Sequence, residues 1–168
     1  MNALMRILIV SLFVLACGES KKIDSHPPMA LVGSFDTSFI AVLPLNSIVS
    51  TALTGAKSAD LSVNEFAVVD SLLKKSVDQY NKEQVMRYKN SSQEKAYLID
   101  LSTHKRQYVT MVNEKGEKLV WVNCFCNAWD KNWKKELISV LDGGVCYFNL
   151  KINLATNSYY ELFVNGIG

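Results

Sequence analysis

The sequence predicts an α+β domain, one long helix packed on an antiparallel sheet of about four strands. Three observations carry that expectation. Helical period occurs in a single stretch, introduced by a capping box. Beyond residue 104 the apolar pattern becomes alternating. Turn sequences rich in Asn, Asp and Gly separate the alternating runs. Helix and strands thus occupy different parts of the chain, which is the α+β arrangement.

Composition limits the function classes. The chain has 168 residues and a formal net charge of +2, enough for one domain with a tail. Hydrophobic residues make up 49%, which excludes wholesale disorder. The near-neutral balance argues against a nucleic-acid binder, which would show a basic stripe. His26 and His104 are the only histidines, so no site can use three. Four cysteines are too few for a disulfide-dense miniprotein. No cofactor and no metal are expected.

Met1 to Gly18 reads MNALMRILIVSLFVLACG, with Arg6 as its only charge. Ile7 to Ala16 are apolar apart from Ser11. That run is shorter than the roughly 20 residues of a membrane span and fits the apolar region of a secretory signal. Glu19 to Pro28 is polar, holds two prolines and reads as a tether. Phe39 to Leu43 is a candidate short strand, which Pro44 ends or confines to an edge. Ile48 to Leu53 is an apolar patch without period, and Gly55 to Asp60 reads as loop. The expected organisation is a signal over residues 1–16, an anchor, tether and N-terminal segment over 17–60, and the α+β domain over 61–168.

Ser62-Val63-Asn64-Glu65 opens the helix, with Ser62 as N-cap and Glu65 at N3. Phe66, Val69, Leu73, Val77 and Tyr80 form one face, flanked by Leu72, and the helix should run to about Glu83. Lys105 to Val112 and Glu117 to Cys126 form a hairpin around Asn113-Glu114-Lys115-Gly116. Asn127 to Leu137 is a short helix or a long loop. Asp142-Gly143-Gly144 is a tight turn, Val145 to Leu154 a strand, and Tyr159 to Val164 the last strand.

Val14-Leu15-Ala16-Cys17-Gly18 resembles the lipobox of bacterial lipoproteins. The resemblance implies that Cys17 is acylated, that the signal is cut before it, and that acyl chains on Cys17 hold the protein to a membrane. Two or three chains make a stable anchor where one does not. With Gly18 rather than Asp after the cysteine, the resemblance implies the outer membrane of the cell envelope, with neither face of it assigned. A helix laid across an antiparallel sheet also resembles cystatin-like or PepSY-like domains in outline. Arg106-Gln107-Tyr108, Gly116-Glu117-Lys118, Val122-Asn123-Cys124-Phe125-Cys126, Asp142-Gly143-Gly144 and Asn165-Gly166 resemble small lipoproteins of Bacteroidota, a group to which no activity is attached.

With Cys17 given to lipid, Cys124, Cys126 and Cys146 remain. Cys124 and Cys126 share a strand face about 6.6–6.8 Å apart, too far for an easy bridge to each other. Either one could bridge Cys146 if their strands are neighbours. Three buried small hydrophobes is the preferred alternative. His104 beside Lys105 and Arg106 reads as an exposed residue at a strand start, and no motif links it to a cysteine. Asp130, Asp142 and Glu161 are not paired by any pattern. No catalytic residue is expected.

Trp121, Phe125, Trp129 and Trp133 are the candidate partner-binding residues. Trp121 and Phe125 lie on the strand face opposite Val120, Val122 and Cys124. The preferred reading is a second small core closed by the N-terminal segment, and the alternative is an exposed aromatic surface. Trp129 and Trp133 are spaced to share a helix face, which makes them the leading recognition pair. The resulting expectation is a lipid-anchored, non-catalytic binding module with an envelope protein as partner. An inhibitor of an envelope hydrolase is the alternative, and a cysteine-dependent enzyme ranks below both.

Overall fold

In the computed structural model of the chain, residues 37–48, 55–128 and 132–167 are described. The leader, Cys17, the tether and Trp129 lie outside them. The strands are β1 (Ile40–Leu43), β2 (Lys57–Ser58), β3 (Lys105–Val112), β4 (Lys118–Phe125), β5 (Tyr147–Asn153) and β6 (Ser158–Val164), and α1 spans Val63–Arg87. Helix segregated from sheet makes this an α+β fold.

The helix forms where the capping box predicts it. Ser62 accepts a hydrogen bond from the Glu65 backbone, and the Glu65 carboxylate accepts one from the Ser62 backbone at 2.7 Å. Two backbone donors that the first helical turn leaves orphaned are thereby satisfied. The stripe then buries Val69, Leu72, Leu73 and Val77, with Phe66 and Tyr80 packed at its margin. Each buried aliphatic contributes about 1.5–3 kcal/mol. Arg87 ends the helix one turn beyond the expected Glu83.

Among the described residues the sheet has six strands and is mixed, which corrects the expectation of about four antiparallel strands. Its order is β1-β3-β4-β5-β6, with β2 pairing β3 beside β1. β3 to β6 are consecutive antiparallel neighbours, as their turn sequences require. The additions come from the N-terminal segment. β1 runs parallel to β3, with Ile40 opposite Arg106, and β2 runs antiparallel to β3, with Lys57 opposite Val112. A division of domains at residue 60 would therefore cut through one sheet. β1 falls where Phe39 to Leu43 is a candidate strand, and it lies at the sheet edge before Pro44. β2, only two residues long, lies within the stretch expected as loop.

Two layers of apolar side chains follow from the alternation. On the helix side, Tyr108, Val120, Val122, Cys124, Phe148, Leu150 and Ile152 meet α1. On the other side, Val109, Met111 and Leu119 meet Leu43, with Leu45, Ile48, Ala56 and Trp121 around them. The N-terminal segment thus covers part of the second face. In β6 the pairing with β5 shifts between Asn149 and Lys151, and Glu161 takes a left-handed φ of 54° there. A bulge of this kind twists and blunts an edge strand.

Candidate functional site

The second face of the sheet holds a polar cluster at its centre. Gln107 on β3 and Asn123 on β4 are cross-strand partners and both are buried. The Gln107 side chain donates from Nε2 to the carbonyls of Trp133 and Glu136, at 2.6 and 2.7 Å. Its Oε1 accepts from Asn123 Nδ2 at 3.1 Å and from the Ile138 backbone at 3.0 Å. Asn123 Nδ2 also donates to the Ile138 carbonyl at 2.8 Å. One primary amide has two donors and a two-fold acceptor, so Gln107 uses its full capacity. The pair clamps residues 133–138 flat against the sheet.

That clamp explains the shape of the segment expected as helix or loop. Residues 132–140 form turns without a helix. The expected helix face of Trp129 and Trp133 is therefore absent at Trp133, and Trp129 lies outside the described residues. The Trp133 ring turns inward and meets the Phe125 ring edge-on at 5.9 Å. Lys105 and Lys134 place their ammonium groups 5.3 and 5.6 Å from the Trp133 ring centre. Phe125 is fully buried with Ile138 and Tyr147. Trp121 is half-buried against the Leu43 cluster. Phe125 is thus core, and the partly buried Trp133 packs against it, because the Gln107–Asn123 clamp holds its loop on the sheet.

Beside this core a groove remains, with a volume of about 170 Å³. Trp121, Asn123 and Asn149 form its floor, residues 137–140 one wall, and Asn165 closes an end. Asn165 Nδ2 donates to the carbonyls of Val140 and Asp142, at 2.6 and 3.0 Å. It fixes the loop from both sides of Leu141. Phe163, the cross-strand partner of the groove residue Asn149, is exposed.

The cysteines occupy different environments. Cys126 and Cys146 form a disulfide with Cα atoms 5.1 Å apart, joining the end of β4 to the turn before β5. Cys124 is a free thiol, fully buried on the helix side. Burial pushes that thiol up to about 12, the nearby Arg106 opposing the shift only in part. A thiol in that state is no nucleophile at neutral pH. Arg106 lies opposite Cys124 on β3 and pairs with Asp70 of the helix at 2.8 Å.

His104 is buried, which corrects its expected exposure. Its ring nitrogens sit 2.8 and 2.9 Å from the carbonyl oxygens of Asp100 and Val145. It ties the turn before β3 to the turn before β5, a fastening role. Glu161 pairs with Lys151 on the neighbouring strand at 2.6 Å, away from the Asp142 turn. In that turn Gly143 adopts a φ of 89°, and a Cβ there would lie 2.6 Å from the Tyr147 ring. The Gly144 amide donates to the Gly166 carbonyl, so the turn spends its amide within the fold. Among the described residues no group of three His, Cys, Asp or Glu is placed to hold a metal.

The clamp, the Asn165 brace and the choice of Cys126 over Cys124 for the bridge are not evident from sequence pattern. The available signal is modest: Gln107 and Asn123 are polar residues on the strand face that otherwise carries Val109, Met111, Leu119, Trp121 and Phe125.

Comparison with protein-family models, with curated proteins and with solved structures finds no match to this chain.

Proposed function

We propose that this chain is a lipid-anchored protein of the cell envelope that acts as a non-catalytic binding module. The observation that carries the reading is the Cys126–Cys146 disulfide. Disulfides persist in oxidising compartments and are rare where cellular thiols keep cysteines reduced. The leader ending in Val14-Leu15-Ala16-Cys17 points the same way. In this reading Cys17 carries the acyl chains and Gly18 directs the protein to the outer membrane.

The binding half of the proposal rests on the groove. A volume of about 170 Å³ is below the roughly 300–1,000 Å³ of small-molecule pockets. It takes one side chain of a protein partner, with Asn149, Asn165 and Ser139 offering polar contacts and exposed Phe163, cross-strand from Asn149, an apolar one nearby. Of the four residues singled out from sequence, Trp121 lines this groove. The cystatin-like or PepSY-like outline belongs to the proposal as well. It is supported by a single helix across β3 to β6, while the parallel strand β1 is an addition to that outline.

The test is site-specific photo-crosslinking in cells that make the full chain. A photoreactive residue at position 163 is compared with one at position 75, on the exposed side of α1. The proposal expects one discrete protein adduct from position 163 and none from 75. Equal adducts at both positions, or none at 163, would contradict it.

A further inference from the structure

We propose that one end of the sheet rests in the surface of the membrane to which the chain is anchored, with Leu141 and Ile167 as its apolar contacts. The proposal rests on the lipid-anchor reading above. It begins from the direction of the strands. Lys105 starts β3 and lies opposite Phe125, the last residue of β4, which lies opposite Tyr147, the first of β5. Val164 ends β6 opposite Phe148. Ile40 starts β1 opposite Arg106, because β1 is parallel to β3. One end of the sheet therefore gathers the first residues of β1, β3 and β5 and the last of β4 and β6. The opposite end holds the turn at Lys115 and Gly116.

The first described residues enter the fold at this same end. Residues 37–39 lead directly into β1 there. Cys17 stands twenty residues before Thr37 (37 − 17 = 20), a stretch that spans at most about 70 Å when extended. The end nearest the tether is thus the one most readily brought to the bilayer.

That end also displays its apolar side chains. Leu141 is 96% exposed, Ile167 61% and Phe39 46%. Leu141 is held out by a fixed loop, since Asn165 binds the carbonyls on both sides of it. Ile167 is fixed beside it, with Gly166 bonded to Gly144 and the Ile167 side chain close over Gly144. An aliphatic residue held almost fully in water by a braced loop loses apolar hydration only when something covers it. Charges at this end are of both signs, with Arg87, Lys89, Lys95, Lys105, Lys134 and Lys135 beside Glu94, Asp100, Glu136 and Asp142. The contact proposed for Leu141 and Ile167 themselves is apolar insertion at the headgroup level.

The experiment uses the full chain, isolated from cells and placed in vesicles of phosphatidylethanolamine and phosphatidylglycerol containing a brominated lipid. A fluorescent amino acid is introduced at position 141, at position 167, or at position 115 on the far end. All three positions are exposed, so the substitutions leave the fold intact. Flotation and intact mass report the anchor, and quenching by bromine reports the contact. The proposal expects the chain to float, with at least two-fold stronger quenching at 141 and 167 than at 115. Flotation with equal quenching at all three overturns this proposal alone. A chain that neither floats nor carries acyl mass overturns the anchor, and this proposal with it.

Discussion

Gln107 and Asn123 face each other across β3 and β4, share one hydrogen bond, and hold residues 133–138 against the sheet through four more. Their effect is architectural. They press Trp133 against Phe125 and bring Leu137 and Ile138 to the wall of the groove.

Replacing Gln107 with Ala removes four of those bonds and leaves the Trp133 and Glu136 carbonyls and the Ile138 amide unsatisfied. Each orphaned buried group costs about 1–3 kcal/mol. The expected loss is about 3 kcal/mol in urea unfolding, with faster hydrogen exchange confined to residues 132–140. Unchanged exchange in that loop would remove the clamp from the account.

The Cys126–Cys146 bridge closes a loop with a sequence separation of 20. Chain-entropy reasoning assigns such a bridge about 3 kcal/mol. The double variant Cys126→Ser with Cys146→Ser should lose about that much. Dithiothreitol should lower the midpoint of the native chain and leave the double variant unaffected.

Cys124 predicts both a reactivity and a pH dependence. Its folded thiol is raised from 9.0 to about 12 by burial. A raised group stabilises below its unfolded value and loses that contribution as pH rises toward its folded value. Stability should therefore fall between about pH 9 and pH 12, and less steeply in Cys124→Ala. At pH 8 a thiol reagent should label Cys124 only after denaturant is added. Rapid labelling of the folded chain would contradict its burial.

Glu65 acts in the opposite direction. Burial pushes its carboxyl up, but hydrogen bonds from Lys118 and Ser62 outweigh that and hold it below the ordinary carboxylate range. A depressed group stabilises above its unfolded value and loses that contribution as pH falls through its folded value. Acid should destabilise the native chain below about pH 4.5 more steeply than the Glu65→Gln variant. Parallel acid curves would show that the cap and the Lys118 pair contribute nothing.

Much of this fold is legible in the residues. Ser62 and Glu65 mark the helix start, the stripe from Phe66 to Tyr80 marks its buried face, and Asn113 to Gly116 marks the hairpin. These signals are local, since each depends on neighbours a few positions away. β1 is legible as a short edge strand before Pro44, but its parallel pairing of Ile40 with Arg106 is decided at long range, and β2 carries no local signal. The groove was hidden for the same reason. Trp133 looks like a surface aromatic among lysines until Gln107, far away in sequence, fixes its backbone. His104 looks exposed beside two cations until Val145 is brought to its ring.

The central claim is that the chain is processed at Cys17 and anchored through it in an oxidising compartment. Intact mass spectrometry of the protein from the membrane fraction of producing cells tests this most directly. The account predicts a chain beginning at Cys17, bearing acyl mass and two hydrogens lighter for the Cys126–Cys146 bridge. A water-soluble chain that retains residues 1–16, without acyl mass and with every cysteine reduced, would contradict it.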